Sequence, residues 1–164
     1  MTTTALGGTP VTLVGDLPAI GSPAPDFRLI GTDLTTEVTR PTDKRTVLNI
    51  FPSVDTGVCA ASVRAFNEMA AGLADTQVIC VSQDLPFAQA RFCGAEGIES
   101  VVAASTFRST FGHDYGVALT DGKFEGLLAR AVVVIDRDGT VLHTELVPEI
   151  AQEPDYDAVA AALA

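Results

Sequence analysis

Basic residues are scarce in this chain: 10 Lys and Arg stand against 21 Asp and Glu, for a net charge of -11. Such a balance leaves nothing to neutralise phosphates, so it argues against nucleic acid and against an anionic membrane surface as partners. Acidity on this scale serves solubility. Histidine is rarer still, limited to His113 and His143. Neither sits at ligand spacing from a cysteine, which argues against a zinc site, and both read as surface or edge residues rather than general bases. No apolar run approaches the ~20 residues that cross a bilayer. The stretch 1–8 lacks the basic flank and apolar core of a secretory signal, so the expected compartment is the cytoplasm. Three cysteines with no CxxC do not make a secreted disulfide framework. In a reducing compartment such cysteines are buried, metal-bound or redox-active. GxGxxG, Walker A and GxSxG sequences are also missing.

What is present suits a compact, folded protein. With 164 residues, 47% hydrophobic and 19% charged, the chain has the composition of one domain spanning 1–164 with a real core. Alternation around Val11-Thr12-Leu13-Val14, between Gly8 and Gly15-Asp16, predicts a small hairpin over residues 6–17, within an N-terminal extension covering 1–17. The proline-rich stretch 18–25 predicts a stiff extended loop. Residues 27–30 and 37–39 read as short strands, and 46–51 as a buried one. Val63, Phe66, Met69 and Leu73 recur at helical spacing, predicting a helix that ends near Gly72 or Leu73. A central strand is expected over 77–82, then a helix over 87–93 with Pro86 in its first turn and Asp84 or Leu85 near its cap. A strand over 101–103 and a short helix from Ser105 through Phe107 to Phe111 follow. Asp138-Gly139 between two β-rich runs predicts a hairpin of 131–136 with 140–146, and residues 155–163 a closing helix. This order gives an α/β fold with a mixed central sheet flanked by helices, as in the thioredoxin-like architecture, plus the N-terminal β-hairpin extension.

The stretch Phe51-Pro52-Ser53-Val54-Asp55-Thr56-Gly57-Val58-Cys59 runs from the buried strand into the first predicted helix. A cysteine in the first turn of a helix meets unpaired backbone N–H groups and the positive end of the helix dipole, which favour a thiolate over a thiol. Cys59 is therefore the candidate nucleophile. Cys80 falls inside an apolar strand and reads as a buried core thiol. Cys93 falls at the end of a short helix running into Gly94 and Gly97, a segment able to unwind. Cys59 to Arg64 is similar to a phosphatase loop, but it is one residue short and lacks the glycines, so Arg64 reads as a helix-surface residue. Asp136-Arg137-Asp138-Gly139 is calcium-like only in fragment. Phe87, Phe92 and Phe107 read mostly as core, with some able to line a pocket.

Pro52-x-x-x-Thr56-x-x-Cys59 at a strand-to-helix junction resembles the signature of peroxiredoxins. The run Asn49 to Thr56 is similar to the thiol peroxidase branch of that family. The likeness continues through Cys80-Val81-Ser82, Asp84-Leu85-Pro86-Phe87-Ala88-Gln89, Arg91 to Gly97, Tyr115-Gly116-Val117 and Gly126 to Ala131. One departure is Gly57, where the branch usually has proline. The resemblance implies a thioredoxin-dependent peroxidase that reduces hydrogen peroxide and organic hydroperoxides in antioxidant defence, without metal, haem or flavin. It implies Cys59 as the peroxidatic cysteine and Thr56 as the hydroxyl that bonds sulfur and peroxide. Pro52 would shield the sulfur and Arg130 would stabilise the thiolate and polarise the peroxide. It further implies an intramolecular Cys59–Cys93 disulfide recycled by thioredoxin, and a homodimer. The competing readings are a thiol–disulfide oxidoreductase, weakened by the missing CxxC, and a non-enzymatic redox sensor or binding module.

Overall fold

A computed structural model of the chain describes residues 2–164, so Met1, where the expected N-terminal extension begins, lies outside the described residues. The first two strands, β1 (Thr3–Leu6) and β2 (Thr9–Thr12), form an antiparallel hairpin. It lies nearer the N-terminus than the alternation around Val11 predicts. Gly7 and Gly8 have φ of 60° and 83°, the left-handed pair that a two-residue turn needs, and they set the register. Residues 13–17 consequently fall outside the hairpin.

The main sheet has seven strands in the order β4-β3-β7-β6-β5-β8-β9. Its strands are β3 (Leu29–Gly31), β4 (Glu37–Val38), β5 (Arg45–Ile50), β6 (Thr76–Ser82), β7 (Val102–Ser105), β8 (Ala131–Ile135) and β9 (Val141–Leu146). Strands β5, β6 and β7 run parallel, whereas β8 lies antiparallel to β5 and β9 to β8. The sheet is thus mixed, and the architecture is the expected thioredoxin-like one. The runs 46–50 and 131–135 are buried throughout, as strands covered on both faces must be.

Between the strands lie α1 (Gly57–Ala70), α2 (Pro86–Glu96), the single turn α3 (Phe111–Asp114) and α4 (Tyr156–Leu163). Val47, Val78, Cys80, Val132 and Val134 face α1, α2 and α4 through Val63, Phe66, Phe92 and Val159. Leu48, Ile50, Ile79, Val81 and Val133 face the other way, onto Phe27, Phe111 and Tyr115. No helix of the described residues is long and apolar enough to cross a membrane.

Two helices depart from expectation. Helix α2 continues past Cys93 and through Gly94 to Glu96, stopping at Gly97 in the left-handed conformation with φ 65°. Cys93 therefore lies in the last turn of a formed helix. The short helix expected from Ser105 begins only at Phe111. Ser105 is the last residue of β7, and its hydroxyl donates to the Asp84 carbonyl while accepting from the Phe107 N–H, so it does not cap a helix.

The register of β5 against β8 decides what meets at the sheet edge. Ile50 pairs with Ala131. The chain leaving β5 toward Pro52 and the residue entering β8, Arg130, are thereby brought to the same end of adjacent strands.

Candidate active site

Thr56 has extended backbone (φ -97°, ψ 145°) and caps α1, its Oγ1 accepting from the Cys59 N–H at 3.4 Å. The same hydroxyl donates to the Ser53 carbonyl at 3.2 Å. Such a cap satisfies one of the orphan N–H groups at a helix start. Cys59 lies at the third helical position, in the first turn as the sequence predicts, and is fully buried. Pro52 is buried in the loop before it. From the strand side, Asn49 donates to Ser62 Oγ at 3.3 Å, and Ser62 donates to the Cys59 carbonyl at 2.8 Å, so the turn carrying Cys59 is tied to the sheet.

Arg130 completes the arrangement. Only 1% of it is exposed. Its Nε donates to the Ile150 carbonyl at 2.7 Å and its Nη2 donates to Cys59 Sγ at 3.0 Å. Nη1 is buried with no partner among the described residues. A guanidinium does not lose its proton in a protein, and a buried charge costs a great deal unless an opposite charge or hydrogen bonds offset it. Arg130 forms no ion pair with a carboxylate among the described residues. The Cys59 sulfur is the side-chain atom its guanidinium contacts.

A cavity of about 200 Å³ opens beside this turn, lined by Leu6, Thr56, Val58, Phe124, Arg130 and Ile150 among others. Its walls are apolar apart from Thr56 and Arg130. Leu6 comes from the N-terminal hairpin, so that extension forms part of the cavity wall. None of Phe87, Phe92 and Phe107 lines it. Phe92 is buried and Phe107 half-buried beneath the Arg108 guanidinium, but Phe87 is 68% exposed and is not core.

All three cysteines are free thiols. Cys80 is buried in β6, where desolvation, partly countered by the Asn49 amide, pushes its thiol up to about 12. Cys93 is half-buried, and desolvation raises its thiol too. Both belong to the apolar layer that holds Cys59. Helix α2 is held lightly, burying only Pro86, Gln89 and Phe92. Two surface ion pairs flank Cys93: Arg91 to Asp55 at 2.7 Å, and Glu96 to Arg64 at 3.0 Å. Arg64 is thus the helix-surface residue expected, and it ties α1 to α2. The Ile150 carbonyl, the two ion pairs and the contribution of Leu6 escape sequence reasoning, because each depends on contacts between distant segments. For Asp55 and Arg91 the only sequence signal is opposite charge near the two cysteines.

The sequence profile of the redoxin family matches residues 19–160. A thiol peroxidase of Mycobacterium bovis is 61% identical over 159 residues, covering 96% of each chain. One of Corynebacterium glutamicum is 52% identical over 164 residues, covering 99% of each. Among solved structures, a peroxiredoxin-like protein from Aquifex aeolicus superposes with a TM-score of 0.93 at 43% identity, covering 98% of this chain and 95% of that one.

Proposed function

This chain belongs to the redoxin family, among the thiol peroxidases, and on that premise we propose that Cys59 is the residue its hydroperoxide substrate oxidises. The observation that carries the assignment is Arg130, a buried cation with one N–H on the Cys59 sulfur and a second nitrogen without a partner among the described residues. A thiolate at Cys59 offsets the guanidinium charge, and the spare Nη1 is the donor for a peroxide oxygen. The sulfur attacks one peroxide oxygen, so an S–O bond forms as the O–O bond breaks. The leaving hydroxide or alkoxide, stabilised by Arg130, takes a proton from solvent and departs as water or an alcohol. Thr56 assists by turning its hydroxyl proton from the Ser53 carbonyl toward the bound peroxide. Pro52 keeps water from the sulfur. The apolar cavity suits alkyl hydroperoxides as well as hydrogen peroxide.

The resulting Cys59 sulfenic acid is attacked by the Cys93 thiol, forming the intramolecular disulfide and releasing water. Two electrons from the dithiol of a thioredoxin then restore both thiols. Sulfurs bond only when their Cα atoms come within about 7 Å, and the light anchoring of α2 supports its rearrangement. The reading extends to a homodimer, which sedimentation tests directly, and to a cytoplasmic location, which cell fractionation tests. Peroxide-dependent NADPH oxidation with thioredoxin and its reductase tests the cysteine roles. Cys59→Ser is expected to abolish it, Cys93→Ser to allow one oxidation and then stall, and Cys80→Ser to change turnover little. Loss of recycling in the Cys80 variant with its retention in the Cys93 variant would overturn the assignment.

A further inference from the structure

We infer that Asp84 is a positioning residue for the peroxidase reaction, its carboxylate fixing the loop that presents Cys59 to the base of the helix that carries Cys93. This rests on the reading of Cys59 as nucleophile and adds a residue outside its immediate surroundings. Asp84 lies between β6 and α2, 25 positions along the chain from Cys59. Its Oδ1 accepts from Ser53 Oγ at 2.7 Å, and its Oδ2 accepts from the Val54 N–H at 2.8 Å and from Ser82 Oγ at 2.7 Å. Ser53 and Val54 are two of the three residues between Pro52 and the capping Thr56. The Ser53 carbonyl is in turn the acceptor for the Thr56 hydroxyl.

The direction of the hydrogen bonds is fixed from the α2 side. Gln89 is 1% exposed, and its amide nitrogen donates to Ser82 Oγ at 3.0 Å and to the Ala104 carbonyl at 2.9 Å. With Ser82 Oγ accepting from Gln89, its single proton goes to Asp84. Gln89 lies one helical turn before Cys93 in α2. A continuous chain therefore runs from the helix of Cys93, through Gln89, Ser82 and Asp84, to the Ser53-Val54 backbone that sets Thr56 and Cys59. Each donor along this chain has its acceptor, while Gln89 Oε1 has no partner among the described residues, and in a buried setting such bonds are stronger than in water. Misplacing a reacting group by about 1 Å can cost on the order of a hundredfold in rate.

The test is the second-order rate constant of Cys59 oxidation by hydrogen peroxide, measured by competition with horseradish peroxidase on folded protein well below its melting temperature. Asp84→Ala is expected to lower it about tenfold or more, equivalent to ~1.4 kcal/mol of barrier. Asp84→Asn is expected to come back to within about threefold of the parent. Its carbonyl can accept from Val54 and Ser82, while its amide donates to Ser53. A residue that only stabilises the fold would lower the melting temperature and leave this rate constant alone. A rate within twofold of the parent in Asp84→Ala overturns the proposal. Should that variant not fold, Ser53→Ala decides, with a rate lowered threefold or more expected and an unchanged rate overturning. A Cys59→Ser protein that still consumed peroxide would instead contradict the nucleophile itself, so the two failures are distinct.

Discussion

Gly57 occupies the first helical position of α1, where its N–H would be an orphan in any case. A Cβ built there meets nothing within 4 Å. Thr56 before it is already extended, the conformation a following proline imposes. These three local conditions favour proline, and the glycine costs stability through the freedom it gives the unfolded chain. Gly57→Pro is expected to stabilise the protein by about 0.4–1 kcal/mol, raising the melting temperature by roughly 1–4 °C in calorimetry. A fall in melting temperature would show that the first turn of α1 is strained in a way the backbone angles do not reveal. The buried thiols divide by the same kind of local reasoning. Desolvation raises both Cys80 and Cys93, but Cys80 is locked in a central strand, whereas Cys93 can escape its burial when α2 opens. Under the proposed pairing, burial disfavours the Cys93 thiolate while α2 stays folded.

At the scale of elements, the proposed Cys59–Cys93 pairing makes α2 the part that has to move. Its two ion pairs are exposed, with side chains 63% and 63% accessible for Arg91–Asp55 and 48% and 39% for Arg64–Glu96. Pairs of this kind are worth only about 0.2–1 kcal/mol each. Removing both, in the double variant Arg91→Ala with Glu96→Gln, is expected to speed formation of the Cys59–Cys93 disulfide about two- to fivefold, followed by acid quench and mass spectrometry. A slower reaction would mean that α2 must stay in place for the sulfurs to meet. The N-terminal hairpin is a second element with a definable tether. Glu149 accepts from the Gly7 and Gly8 N–H groups at 2.8 and 3.0 Å and from the Ala151 N–H at 3.2 Å. These donors, Gly8 foremost, hold its carboxyl below the ordinary value of 4.5. The carboxylate form is the one folding favours. Its contribution is full above that ordinary value and is lost as pH falls through the lowered one. Hydrogen exchange at Gly7 and Gly8 is expected to lose protection on acidification in the parent protein and to lack it at neutral pH in Glu149→Ala. Equal protection in both would remove Glu149 from the account.

These elements also mark what the residues alone disclose. Strand runs such as 131–135 and the helix after Cys59 were legible because their apolar periods are long and their ends are capped by Thr56 or closed by Asp138-Gly139. Cys59 itself was legible because local order, strand then loop then helix, already defines its surroundings. The extension of α2 beyond Cys93 was not, since Gly94 reads as a stop although the helix tolerates it and ends on Gly97 instead. Ser105 was misplaced because its hydroxyl is taken by a backbone group from the β6–α2 junction, a competition no window of sequence displays.

At the scale of the molecule, the site exists because of strand order. Antiparallel pairing of β5 with β8 places Ile50 opposite Ala131, so Arg130 and the Pro52–Cys59 loop, about 70 residues apart in the chain, share one edge of the sheet. The hairpin adds Leu6 to the cavity wall from one side, and the segment around Ile150 supplies the carbonyl that aims Arg130 from the other. Cys59, Cys80 and Cys93 all lie in the apolar layer on the helix-covered face, which makes the choice of disulfide the sharpest question about the whole protein. Peptide mapping by mass spectrometry, after reduced protein receives one equivalent of hydrogen peroxide and is trapped with iodoacetamide, answers it directly. The account predicts a single disulfide joining Cys59 to Cys93 with Cys80 alkylated once the protein is unfolded. A Cys59–Cys80 or Cys80–Cys93 linkage as the main product would contradict it.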